Sequence, residues 1–235
     1  MSIFITSDST CDLTKEHLQK YNISALAPLS IYFDDEEHKD GIDISCEDIY
    51  KFFERTKTVP KTAAVKPADY EKLFTSLLDT EDEIVHISFS SQLSSCYQNA
   101  VIAAENFDGR VKVVDSLSLF GGQALLVVKA AQLRDDGKTS IEIVKEIERL
   151  REKVQLSFVI NDLTFLSKGG RCSSVAALGA NLLGIKPVIE MTDGKLSMTR
   201  KIRGKMDFVH EKYIEAILND YPVNTKEMLI VGHTG

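Results

Sequence analysis

No stretch of the 235-residue sequence approaches the roughly 20 consecutive apolar residues that a membrane-spanning helix requires. The opening Met1-Ser2-Ile3-Phe4-Ile5-Thr6-Ser7-Asp8 has neither the basic region nor the apolar stretch of a secretory signal, and reads as a first strand of a cytosolic protein. Cysteine is sparse: Cys11, Cys46, Cys96 and Cys172 lie far apart with no Cys-x-x-Cys pairing, which predicts reduced thiols. Positive charge is in deficit, with 28 Lys and Arg against 35 Asp and Glu. The resulting net charge of −7 argues against a general nucleic-acid surface. An anionic ligand must then be held by a local arrangement, because the global field repels it. There is no internal repeat and no low-complexity segment.

The common chemical motifs are missing as well. Gly169-Gly170-Arg171 lacks the spaced glycine and the Lys-Ser or Lys-Thr of a phosphate loop, and Gly121-Gly122 lacks the spacing of a dinucleotide fingerprint. His17, His38, His86, His210 and His233 form no His-x-x-x-His or His-Glu pair that would suggest a metal, so neither metal nor cofactor is expected. Nothing in their spacing ties one to Ser94 or Cys96 as the base of a nucleophile.

What is present is 43% apolar and 27% charged residues, the composition of a folded globular chain with enough length for one large domain or two modest ones. Strands are expected at 3–6, 25–33, 83–89, 110–115, 155–160, 188–192, 195–200 and 228–231, with a short return strand after the charged turn 34–37. Helices are expected at 13–20 capped by Asp12, from the Ser45/Asp48 capping box through Phe53, from Pro67 to Leu78, and from near Ser94 to near Asn106. Further helices are expected at 123–134, 140–153, 175–183 and 206–219. Alternating strands and helices predict an α/β domain over 1–155, a mainly parallel sheet with helices on both faces. A second α/β domain with a hairpin at Asp193-Gly194 is expected over 156–235. That domain is expected to be incomplete at its C-terminus, because the chain ends just after its last strand.

Three segments set hydroxylic or glycine residues at breaks between apolar elements: Lys61-Thr62-Ala63, Ser90 through Gln98, and Lys168-Gly169-Gly170-Arg171. Such breaks leave backbone N–H groups and hydroxyls able to hold a small anion, and none carries an obvious general base. Ligands of α/β sheets sit at the carboxyl ends of parallel strands, which places Ser7-Asp8-Ser9-Thr10 and Ser88–Ser95 there. Ser94 would lie near a helix start that favours a carboxylate or phosphate, unless Ser91 or Ser94 simply caps that helix. Thr62 is expected in a loop, as a ligand or as an ordinary loop threonine. Arg171 follows glycines that permit close backbone approach, or is a surface charge. The basic group Lys195, Arg200, Lys201, Arg203 and Lys205 is either a solvated edge strand or a docking face for an acidic partner or phosphate-bearing ligand.

In this order the segments resemble the DegV family. The matching stretches include Ser7-Asp8-Ser9-Thr10 with Asp12-Leu13, and Asp115-Ser116 before Gly121-Gly122. They also include Leu166-Ser167-Lys168-Gly169-Gly170-Arg171 and Ile185-Lys186-Pro187. The resemblance implies a protein of two α/β domains that buries a long-chain fatty acid such as palmitate in a tunnel. In some members it presents the carboxylate to a separate fatty acid kinase catalytic subunit. Thr62 and Ser94 would hydrogen-bond the carboxylate; Arg171, Arg203, Ser95 and Gly170 would lie near the head group or the partner. The family usually has Thr-Ser-Gln-Pro where this chain has Thr62-Ala63-Ala64-Val65. It usually has Leu-Ser-Gly-Thr-Tyr where this chain has Leu93-Ser94-Ser95-Cys96-Tyr97, and its C-terminal segment with a histidine near the carboxylate is absent from this sequence. The rival readings are a hydrolase or acyltransferase using Ser94 or Cys96, and a regulatory binding protein without a kinase partner.

Overall fold

A computed structural model describes residues 2–79, 82–173, 184–221, 224 and 228–233. The chain divides into two compact units, one comprising Met1–Val154 with Val231–Gly235 and the other Gln155–Ile230.

The first unit begins with β1 (Ile3–Asp8), a 3-10 turn and helix α1 (Lys15–Lys20). Asp12 does not cap this helix. It takes a left-handed φ of 52° after the turn, and the Thr14 hydroxyl accepts from the His17 N–H instead. Aspartate tolerates that backbone region better than most residues, so the turn claims it first. The strand expected over 25–33 is two strands, β2 (Ala25–Ala27) and β3 (Ser30–Phe33). Pro28 has no N–H to offer a ladder, and the chain changes sheets across it. β4 (Glu36–Lys39) returns antiparallel to β3, and α2 (Cys46–Thr56) opens on the expected capping box of Ser45 and Asp48.

β5 (Lys61–Ala63) corrects the expected loop: Thr62 pairs with Ile31 on the free edge of β3, giving a three-stranded sheet of order β4-β3-β5. Helix α3 (Pro67–Leu77) starts at its proline, whose missing N–H costs nothing in the first turn. β6 (Glu83–Ser88), α4 (Cys96–Ala104), β7 (Val111–Asp115), α5 (Phe120–Asp135) and α6 (Ser140–Arg151) complete the unit.

β1, β2, β6 and β7 form a four-stranded parallel sheet of order β2-β1-β6-β7. Strand side chains alternate faces, and the two faces are covered by different helices. On one face Ile84 and Val111 pack with Tyr70 and Phe74 of α3 and Ala100 and Ala103 of α4. On the other, Ser7 bonds Gln123 of α5, and α6 packs against β6 and β7. The chain therefore has the expected α/β fold with helices on both faces of a parallel sheet.

In the second unit, β8 (Ser157–Val159) is followed by a short helix α7 (Thr164–Gly169) that the sequence pattern did not indicate. β9 (Ile185–Thr192) and β10 (Lys195–Arg203) form the expected hairpin, with β9 also pairing antiparallel with β8. Asp193 and Gly194 take φ 48° and 76°, the positive pair that matches the twist of the strands it joins. Gly194→Ala is expected to cost about 1–2 kcal/mol from the left-handed conformation, read as a lowered urea midpoint with an unchanged denaturant slope.

Helix α8 (Met206–Asp220) follows, and Tyr221 just beyond it donates to the buried Glu190 at 2.9 Å. Glu190 also accepts from the Thr199 hydroxyl at 2.5 Å. The helix expected over 175–183 lies outside the described residues. Residues 228–231 belong to no strand, against the expected final strand.

Candidate functional site

The carboxyl ends of β1, β6 and β7 gather Asp8, Ser88 and Asp115, since Ser88 pairs with Asp115 in the parallel ladder. Along β1 the face beneath α3 reads Phe4, Thr6, Asp8, and along β6 it reads Ile84, His86, Ser88. Each strand thus passes from apolar to polar toward the end where loops begin. Asp8 is fully buried, so its carboxylate must be saturated with donors. Tyr70 of α3 donates its hydroxyl to Oδ1, and His86 Nε2 stands 3.3 Å from the same oxygen. Ser88 Oγ donates to Oδ2 at 2.8 Å and the Phe89 N–H at 2.7 Å. The far side of the His86 ring is held too, with Nδ1 3.0 Å from Thr6 Oγ1.

Burial works to raise the Asp8 carboxyl, but His86, Tyr70 and the Phe89 N–H together hold it below its ordinary value. Burial, and then the Asp8 charge, push Tyr70 well above the usual phenol range. The same two causes raise the Cys96 thiol. The cluster is one fixed carboxylate beside a phenol and a thiol that burial keeps protonated.

The loop that follows β6 is tied down residue by residue. The Ser90 N–H donates to the Ser118 carbonyl at 3.0 Å and the Ser91 N–H to Asp115 Oδ1 at 3.1 Å. The neighbouring loop after β7 holds Leu117 at φ 49°, and Phe120, the first residue of α5, stands at 46°. Such left-handed backbone at bulky residues costs about 1–2 kcal/mol each and persists only where surroundings impose it, as functional loops often do. Ser94 is partly buried, two residues before α4; its Oγ accepts from the Cys96 N–H at 3.2 Å and lies 3.1 Å from Cys96 Sγ. Ser94 rather than Ser91 therefore serves the helix start, while Ser95 at the cap position makes no side-chain cap bond and is exposed.

Thr62 is exposed on β5, and the chain just after it is bound to α4 through Asn99 Nδ2, which donates to the Val65 carbonyl at 2.7 Å. The fold thus carries Thr62 and Ser94 on segments tied to each other within the first unit.

The remaining candidates belong to the second unit. Gly170 ends α7 in the left-handed conformation at φ 72°, and Arg171 is exposed with its guanidinium donating to the Gly169 carbonyl at 2.6 Å. Arg203 closes β10 opposite Ile185. Of the basic group, Arg200 pairs with Asp220 of α8, so it is committed within its own unit.

Sequence reasoning placed Asp8 and Ser88 at strand ends but missed that Tyr70 and His86 join them. The polar run at alternate positions of two otherwise apolar strands is the further signal that points to His86. Among the described residues no group of His, Cys, Asp and Glu is arranged to hold a metal ion. Nor is any helix among them long and apolar enough to cross a membrane.

The family model described as "Uncharacterised protein, DegV family" matches residues 2–235. The chain belongs to the DegV family. A DegV domain-containing protein of Deinococcus radiodurans is 34% identical over 205 residues, 87% of this chain and 73% of that protein. Among solved structures, a fatty-acid-binding DegV family protein from Thermus thermophilus superposes with a TM-score of 0.83 at 27% identity, covering 93% of this chain and 78% of that one. The Streptococcus pneumoniae Fatty Acid Kinase (Fak) B3 protein loaded with linoleic acid superposes at 0.78 and 27% identity, covering 93% and 79%. Both likenesses extend over nearly all of this DegV chain, so they take in both of its units.

Proposed function

We propose that this DegV protein is a cytoplasmic carrier that buries a long-chain fatty acid and presents its carboxylate to a fatty acid kinase subunit. Thr62 and Ser94 hold the carboxylate. Arg171, Arg203, Ser95 and Gly170 serve the head group or the partner. The observation that carries this reading is the likeness to the lipid-loaded Streptococcus pneumoniae protein across 93% of this chain. The Asn99–Val65 bond, which ties the segment after Thr62 to the helix after Ser94, supports it. Two neutral hydroxyls are well suited to a carboxylate, since they orient an anion in a chain of net charge −7 without moving a proton.

The energetics divide cleanly between tail and head. A tail of about 15 methylenes leaves water with about 12 kcal/mol before ordering costs, at about 0.8 kcal/mol each. Each hydroxyl bond to the carboxylate adds about 1.5–3 kcal/mol. Thr62→Ala with Ser94→Ala is therefore expected to disorder the head group and weaken binding while most tail affinity survives. Isothermal titration with palmitate reads this, and total loss of binding would contradict the division.

The reading itself is tested by extracting purified protein with organic solvent and weighing the extract by mass spectrometry. A stoichiometric acyl chain is expected, and acyl phosphate should form when a fatty acid kinase catalytic subunit and ATP are added. Protein that carries no acyl chain and takes up no added palmitate overturns it. For the rival acyl-transfer chemistry, Ser94 has its hydroxyl turned to a sulfur rather than to a histidine, and burial raises the Cys96 thiol away from thiolate.

A further inference from the structure

The loops that leave β6 and β7 stay bonded to each other beyond the parallel ladder. The Ser116 N–H donates to the Ser88 carbonyl at 3.1 Å, and the Ser90 N–H donates to the Ser118 carbonyl at 3.0 Å. A further tie is made by Asp115, the last residue of β7, whose Oδ1 accepts from two backbone N–H groups. One belongs to Ser91, at 3.1 Å, in the loop that carries Ser94. The other belongs to Leu117, at 3.0 Å, in the loop of Asp115 itself.

The Leu117 bond is local, an aspartate side chain taking the N–H two residues on, and it goes with the left-handed φ of 49° there. The Ser91 bond crosses between loops, with 24 positions of sequence between its partners. Asp115 has little room to move. It is half-buried, and its carbonyl accepts from Arg151 Nη1 of α6 at 2.9 Å. Next to it, the Ser116 hydroxyl oxygen accepts from the Ser118 N–H at 3.1 Å.

Ser94 stands on what these ties hold. The Leu93 and Ser94 N–H groups both donate to the Ser90 carbonyl, at 3.0 and 3.2 Å. The turn that presents Ser94 is therefore founded on Ser90 and Ser91, the two residues bonded to the neighbouring loop. From the helix side, Ser94 Oγ is set by the Cys96 N–H at 3.2 Å.

The geometry points to Asp115 as a positioning residue: one carboxylate oxygen pins the start of the turn that places the Ser94 hydroxyl for a ligand carboxylate. This rests on the reading that Ser94 binds a fatty acid head group. Both groups held by Oδ1 are N–H donors, so the pin requires an acceptor and not a charge. Asparagine offers the same oxygen uncharged, whereas leucine fills the space and offers none.

The test compares palmitate with its uncharged methyl ester on the full chain, by competition with a fluorescent fatty acid. Asp115→Leu is expected to weaken palmitate about 10-fold and the ester no more than about threefold, the contrast between hydrogen bonds to charged and to neutral groups. Asp115→Asn is expected to match the wild type on both ligands. Added to Ser94→Ala, Asp115→Leu is expected to cost palmitate nothing further, because it acts through Ser94.

Three results overturn the positioning role and leave fatty acid binding intact: equal losses on the two ligands, an unchanged palmitate affinity in Asp115→Leu, or an Asp115→Asn protein as impaired as Asp115→Leu. Should Asp115→Leu not fold, Ser91→Pro decides by the same two affinities, since it removes the N–H that Oδ1 holds across the loops. A wild-type protein that takes up neither ligand overturns the fatty acid reading itself, and the positioning role with it.

Discussion

Asp8→Ala is expected to lower the stability of the first unit by about 3–5 kcal/mol, the usual cost of removing one partner from a buried charged network. The truncation leaves the Tyr70 hydroxyl, the Ser88 hydroxyl and the Phe89 N–H without their acceptor in a site closed to water. Native-state hydrogen exchange at the β1 and β6 amides reads that unit without averaging over the other. Asp8→Asn is milder, because the amide keeps one acceptor, but its NH2 must face donors on one side or the other.

The pH dependence has a definite sign. The folded carboxyl is held below its ordinary value of 3.8 against the pull of burial. Its contribution is therefore complete above that value and disappears as pH falls through the folded value. The stability gap between wild type and Asp8→Asn should accordingly narrow as pH falls through the folded value. A gap that widens on acidification would show that Asp8 is not the ionised anchor described above.

Phe74→Ala is the second large effect, about 3–5 kcal/mol from lost burial and the cavity left behind. Phe74 is completely buried on α3 and meets Tyr70, His86 and Phe107 at ring-centroid distances of 5.8, 5.7 and 5.8 Å. The ring is thus both the filling of this core and the wall that keeps Tyr70 and His86 turned toward Asp8. Hydrogen exchange in β6 should accelerate, and Phe74→Leu, which refills much of the space, should recover more than half of the loss. A loss below 1 kcal/mol would mean that the core collapses onto the gap. Because Phe74 and Asp8 share Tyr70 and His86, the double variant should not be additive.

These residues show what the sequence could and could not disclose. The Asp193-Gly194 hairpin, the Ser45/Asp48 capping box and the helix at Pro67 were readable because each is specified by residues a few positions apart. Thr62 was misplaced in a loop because β5 spans only Lys61–Ala63 and exists by virtue of β3, some thirty positions earlier. The Pro28 break was visible as a residue, but its consequence, a change of sheet, depended on which edges were open. Asp8 stood in a stretch already noted for its place at a strand end. Its partners come from α3 and β6, and no local pattern joins them. Ser94 drew notice through its hydroxyl and its position ahead of a helix. What the fold adds is the Cys96 sulfur, 3.1 Å from its hydroxyl oxygen.

The parallel pairing of β1 with β6 has a consequence for how the chain acquires its structure. Their paired residues are separated by 80 positions, so the central contact of the sheet is a non-local one whose closure entropy precedes any reward. On the ribosome β1 emerges first and must wait, with only the short edge partner β2 available, until β6 has followed. Until then β1 has open edges, and closing this long loop is expected to be the slow step of refolding after dilution from denaturant.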